Sequence, residues 1–157
     1  MALDLVAELE ALVDALHAEG VDYALCGALA LAVHGHPRAT KDIDLLVCEP
    51  DLARALAVAR RLGFEIPAAP MTFGAGTPRA RRVRRVSKPD DQAKQLLPLD
   101  LVLVGPVFET VWHDRVLVRW RERDLVVVSR DGLVAMKRIA SRTQDVADLE
   151  KLEGKAE

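Results

Sequence analysis

The chain is short of the residues that commit a protein to secretion or to a bilayer. Two cysteines in 157 residues are too few for a disulfide framework. Cys26 and Cys48 each lie in an apolar stretch and read as small buried hydrophobes in a reducing compartment. No apolar run approaches the ~20 residues that span a bilayer. The first twenty residues, MALDLVAELEALVDALHAEG, carry acids where a secretory leader carries bases. A cytoplasmic protein with no membrane partner is therefore expected. Six aromatic residues give little support to stacking on single-stranded bases. A net charge of −2 means that bulk charge points to no partner. His17, His34, His36 and His113 show no ligand spacing with each other or with cysteine, which excludes zinc. GAGTP at 74–78 lacks the Gly-Lys-Ser/Thr ending of a phosphate-binding loop, and Ser87 and Ser141 have no partnered base.

What remains is globular in composition, half apolar and 29% charged. The length suits one domain, 1–157, with a core over about 1–128 and helices over about 130–153. Leu5, Val6, Leu9, Leu12, Val13 and Leu16 recur at helical spacing, so 4–19 is predicted helical, with Gly20 as its stop. Strands are predicted at 23–26, 42–47, 81–87, 99–104, 116–120 and 125–128, with a short extended piece at 64–66. Helices are predicted at 28–33, 51–62 and 106–112, and again after Ser129, which can cap the next one. Residues 67–80 read as loop and KPDDQAK at 88–94 as a turn. Ser141 to Gln144 has capping-box spacing, with Val146, Leu149 and Leu152 carrying the last helix inward. Strands and helices alternate along the whole chain, which predicts an α+β (α/β-like) fold with helices packed around a mixed central sheet.

Within ALCGALALAVHGHPRATKDIDLLV, residues 24–47, Asp42 and Asp44 enter an apolar run that ionised carboxylates do not enter cheaply. Strand alternation puts both on one face, with Cα atoms about 6.6 Å apart. Asp100 in LLPLDLVLV is a third acid on one face of an apolar strand. Three acids on neighbouring strands repel, by roughly 4 kcal/mol per pair at 4 Å and an effective dielectric near 20. A hard cation with oxygen ligands, most naturally Mg²⁺, relieves that repulsion.

The pattern resembles the nucleotidyltransferase superfamily that includes DNA polymerase beta. Cys26-Gly27-Ala28, thirteen further residues, then Asp42-Ile43-Asp44-Leu45 and a later Leu99-Asp100-Leu101 follow its motif. GALALAVHGHPRATKDIDLLV and GLVAMKRIASRTQDVADLEKL look like the bacterial AbiEii-type branch, and the resemblance runs from Tyr23 to Leu152. It implies a nucleotidyltransferase fold closing on a C-terminal helical pair. It implies Asp42, Asp44 and Asp100 as metal ligands and catalytic acids, Mg²⁺ or Mn²⁺ as cofactor, and an NTP as substrate. Asp100 would share the second ion or serve as base. Gly27 and Ala28 form the turn that holds the triphosphate in the family. Ala28 stands where Gly or Ser is usual, which puts efficiency in question more than activity.

The same resemblance gives Lys137 a triphosphate contact and makes Asp145 a site-edge acid; Asp148 reads as surface. Arg38 and Lys41, just before the acids, are in reach of phosphate. Arg79, Arg81, Arg82, Arg84, Arg85 and Lys88 make the densest basic stretch and have the footprint of a nucleic-acid face, or of a guarded sheet edge. The acceptor implied is RNA, a tRNA end for instance, in a toxin–antitoxin or phage-defence setting with a cognate antitoxin or toxin as partner. Transfer to a small antibiotic-like molecule or to a partner protein are alternatives, as is a catalytically weak binding module of the same fold.

Overall fold

A computed structural model describes residues 3–140 and 142–154. In chain order its elements are α1 (Leu5–Ala18), β1 (Ala24–Cys26), α2 (Gly27–Val33), β2 (Ile43–Val47), α3 (Leu52–Arg61), β3 (Ile66–Pro67), β4 (Met71–Phe73), β5 (Arg81–Asp90), β6 (Gln95–Leu103), α4 (Glu109–His113), β7 (Val116–Trp120), β8 (Arg123–Val127), α5 (Arg130–Ala140) and α6 (Thr143–Leu152). Short 3₁₀ turns at Glu49–Asp51 and Pro106–Phe108 lead into α3 and α4.

Caps set the helix starts. Asp4 accepts from the Val6 and Ala7 amides at 3.0 and 3.3 Å and opens α1. Ser129 Oγ accepts from the Gly132 amide at 3.0 Å and opens α5, as its sequence position predicts. Ser141 lies outside the described residues. The start of α6 is secured by Asp145, whose Oδ2 accepts from the Arg142 amide at 3.1 Å.

The strands form one mixed sheet in the order β3-β5-β6-β2-β1-β8-β7, with β4 also pairing β5. β2 and β6 run parallel at its centre, and β1 lies antiparallel to β2. Ile43, Leu45, Leu46, Leu99 and Leu101 are buried there, the near-continuous apolar run that a covered parallel pair requires. α1 reaches across one face. Its Glu8 accepts from Lys88 on β5, and its Glu10 and Asp14 accept from Arg123 on β8. By strand alternation Lys88 and Arg123 point away from the face that carries Asp44 and Asp100. Leu133, Met136 and Lys137 of α5 cover that second face. The α+β architecture is as expected from the sequence.

Several boundaries differ from the sequence reading. The expected loop at 67–80 contains β4, paired with Arg81–Val83 around a turn in which Gly74 and Gly76 take positive φ. Of the expected turn at 88–94, the first three residues continue β5. Pro89 faces Leu96 and has no partner on its other side, so its missing N–H costs no ladder bond. β2 begins at Ile43, leaving Asp42 just before the strand. In α6 the inward face is polar. Asp145 and Asp148 are buried with Leu152, whereas Val146, expected inside, is exposed. Asp148, expected at the surface, is fully buried because two cations wait for it in the interior.

Candidate active site

The acids come together through strand register. Cys26 on β1, Asp44 on β2, Asp100 on β6 and Arg85 on β5 are successive cross-strand partners in one row across the sheet. Paired residues share a face, so all four side chains project on the same side. They meet there at a cavity of about 340 Å³, bounded also by Gly27, Met71, Phe73, Phe108, Leu133, Met136, Lys137 and Arg142.

Gly27 begins α2 with φ +69°, and a Cβ added there would sit 2.2 Å from Asp44 Oδ2. Both the conformation and the closeness demand glycine. Ala28, next in the turn, is buried. Burial, then the charges of Asp100 and Asp42, push the Asp44 carboxyl up to about 7. Burial raises the Cys26 thiol, with Asp44 adding to it, so it stays protonated. Cys26 and Cys48 are free, as the sequence leads one to expect.

Asp100 does not stand alone. Arg85 donates to it from Nε at 2.7 Å and from Nη2 at 2.9 Å, a two-pronged contact across the β5–β6 pair. Among the described residues, no three His, Cys, Asp or Glu side chains are grouped to hold a metal ion. The donor chemistry still fits a hard divalent cation. Asp42, Asp44 and Asp100 are all oxygen donors, and Asp44 carries an unfavourable charge that such an ion would relieve.

The cations lie differently from their sequence reading. Lys137 is neither solvated nor open to a ligand on every side. It is 5% exposed and its Nζ lies 3.3 Å from Asp145 and 3.0 Å from Asp148. Arg38 donates to both oxygens of Asp148 at 3.1 Å, which ties the loop before Asp42 to α6. Burial raises the Asp148 carboxyl, but bonds from Arg38, Lys137 and Gln144 outweigh it and hold the carboxyl low. In Asp145 the same contest is won by Arg142 and Lys137. Lys41 is exposed and away from the cavity wall.

The basic stretch divides between two faces. Arg81 and Arg85 point to the cavity, and Arg81 lies over the Phe73 ring at 5.2 Å. Arg82 pairs with Glu49 at 2.5 Å and Lys88 with Glu8 at 2.7 Å on the other face, which Arg84 shares by alternation. Arg79 is exposed beyond the strand, where its carbonyl accepts from Arg81. The stretch is thus not one continuous surface.

Sequence reasoning passed over Arg142 and the apolar wall of Met71, Phe73, Phe108 and Met136, and it read Asp148 as surface. Asp145 and Asp148 are spaced i, i+3, and Leu152 follows them at i+7 and i+4, a signal that one charged face was turned inward. The Arg85–Asp100 pairing needs the hairpin centre between Gln92 and Ala93, which the Lys88–Asp90 segment hides by looking like turn.

A sequence model of the family described as nucleotidyl transferase AbiEii toxin, type IV TA system, matches residues 9–153. The chain belongs to that family. It is a nucleotidyltransferase, and its fold is shared by solved structures at low identity. The lincosamide antibiotic adenylyltransferase LnuA with lincomycin bound is 14% identical with a TM-score of 0.66, covering 99% of this chain and 100% of that one. A Thermotoga maritima protein provisionally assigned as a nucleotidyltransferase is 15% identical with a TM-score of 0.63, covering 96% and 93%. ANT(2")-Ia in complex with adenylyl-2"-tobramycin is 12% identical with a TM-score of 0.58, covering 94% and 92%. Such identities speak to the fold alone. No curated protein matches the sequence of this AbiEii-family nucleotidyltransferase, and no helix among its described residues is long and apolar enough to cross a membrane.

Proposed function

We propose that this nucleotidyltransferase moves NMP from an NTP to the hydroxyl of an RNA acceptor, as the toxin of a cytoplasmic toxin–antitoxin pair. The observation that carries the chemistry is the register of Asp44 with Asp100 beside the Gly27 turn. Asp42, Asp44 and Asp100 would hold Mg²⁺, which when bound neutralises phosphate charge and makes an acceptor hydroxyl more acidic. Asp100 is placed to take the hydroxyl proton, since it faces the cavity from the central strand. Gly27, lacking a Cβ, lets the Asp44 carboxylate sit against the turn at the start of α2. Phe108, Leu133 and Met136 exclude water from the inner wall. Lys137, held by Asp145 and Asp148, contributes positive charge to the cavity from a fixed position. RNA as acceptor rests on the family's toxin character, on Arg81 at the cavity and on the exposed Arg79 two residues before it.

A small hydroxylated acceptor is the second reading. The apolar wall formed by Met71, Phe73 and Met136 favours it, and the fold is shared with a lincosamide antibiotic adenylyltransferase and with ANT(2")-Ia, seen in complex with adenylyl-2"-tobramycin. Incubation with each α-labelled NTP, Mg²⁺ and separate pools of tRNA, protein and small antibiotics decides between them. Label in the tRNA pool, lost in Asp42→Ala and Asp100→Ala, supports the RNA reading. Label in the antibiotic pool alone replaces it with the second. Label in no pool, with no stabilisation by any NTP, would leave a binding module.

A further inference from the structure

The two-pronged contact between Arg85 and Asp100 bears on how the site accepts its ion. Arg85 is the cross-strand partner of Asp100, and both carboxylate oxygens accept from one guanidinium at 2.7 and 2.9 Å. The same guanidinium feels the charges of Asp42 and Asp44. It is therefore a cation already built into the site, bonded to Asp100 on the wall that Asp44 shares. A divalent ion drawing on Asp100 must approach this fixed positive charge or displace it. The side chain is 37% exposed and stands on the cavity wall, so it has open space to swing into once its bonds to Asp100 are broken.

We propose that Arg85 is a positioning residue that holds Asp100 until the metal arrives and competes with the metal for it. Resting on the metal-dependent reading above, this makes occupancy of the Asp100 side of the site an exchange of guanidinium for divalent cation. Arg85 keeps Asp100 aimed at the cavity in the empty enzyme. It also raises the cation concentration needed to complete the site, and nucleotide phosphate beside the cavity gives the displaced guanidinium a new partner.

The test is titration with Mn²⁺ alone, followed by the electron paramagnetic resonance of free Mn²⁺, on the full chain without nucleotide. Arg85→Gln should bind Mn²⁺ about tenfold more tightly than wild type. Arg85→Lys, which keeps the charge but loses the fork, should gain less. Neither gain should survive in an Asp100→Asn background. In labelling assays Arg85→Gln should reach half its maximal rate at lower Mg²⁺, without a rise in the maximal rate itself. A purely structural role would lower the melting temperature and shift neither metal curve to tighter binding. If Arg85→Gln does not fold, Arg85→Lys alone carries the comparison. Unchanged or weaker Mn²⁺ binding in the folded variants, with wild-type binding that depends on Asp100, overturns the proposal and leaves the metal reading intact. Absence of Mn²⁺ binding in every form overturns both.

Discussion

Asp44 on β2 stands directly opposite Asp100 on β6, two carboxylates in register across a parallel strand pair in the middle of an apolar sheet. Parallel neighbours in register place like side chains side by side, and like charges so placed destabilise the pair. The sheet tolerates the arrangement by raising the Asp44 carboxyl to about 7, which favours its neutral form, and by pairing Asp100 with Arg85.

That tolerance predicts an inverted pH dependence. The Asp44 carboxyl lies at about 7 in the fold against an ordinary 3.8. Its neutral form is favoured by folding, so its contribution is fully present below the ordinary value and is lost as pH rises through about 7. The difference corresponds to roughly 4 kcal/mol at most, reduced by water in the cavity. Without divalent ions, the melting temperature should rise on going from about pH 8 to about pH 5. Asp44→Asn should flatten the curve, and Mg²⁺ should stabilise wild type far more at the upper end. A wild-type melting temperature that falls steadily over that range would contradict the assignment.

The buried charges of α5 and α6 act in the opposite direction. Asp145 and Asp148 are held low, so their stabilisation is present above the ordinary carboxylate value and is lost as pH falls through their lowered values. Lys137→Met leaves Asp145 and Asp148 buried without their shared cation and should cost roughly 3–5 kcal/mol. At about 2–4 °C per kcal/mol, calorimetry would register this as a large drop in melting temperature. A near-neutral result would mean that Arg38 and Arg142 suffice for both acids.

Gly27 and Gly20 make a matched pair of tests. Both have positive φ, +69° and +68°, but only Gly27 has a side chain in the way of a Cβ. Gly20→Ala should cost about 1 kcal/mol of backbone strain and leave labelling unchanged. Gly27→Ala adds the collision with Asp44 and should lose about 1–3 kcal/mol together with NTP-dependent thermal stabilisation. Equal effects at the two positions would show that Asp44 moves aside freely.

The divided basic stretch predicts divided consequences. If RNA is the acceptor, Arg79→Gln with Arg81→Gln should weaken its labelling and reduce the slope of log affinity against log salt by about 0.7 per lost phosphate contact. Arg82→Ala breaks only an exposed pair with Glu49 and should change neither. Equal losses from both sets would restore the single nucleic-acid face expected from sequence.

Much of the frame is legible in local pattern. The apolar stripe of α1, the apolar strand around Asp44, the acid flanked by Leu99 and Leu101, and the cap at Ser129 all rest on contacts within a few residues, where period and propensity suffice. Spacing and residue type were enough to single out the acids, and the family resemblance added the glycine turn. Partners far apart in the chain were decided by the tertiary structure. Arg85 meets Asp100 only because the β5–β6 hairpin has its particular register, and Asp148 is buried only because Arg38, 110 residues away, and Lys137 reach it. A charged residue reads as surface until its counter-ion is located, since burial of a charge depends on a partner that local sequence does not name.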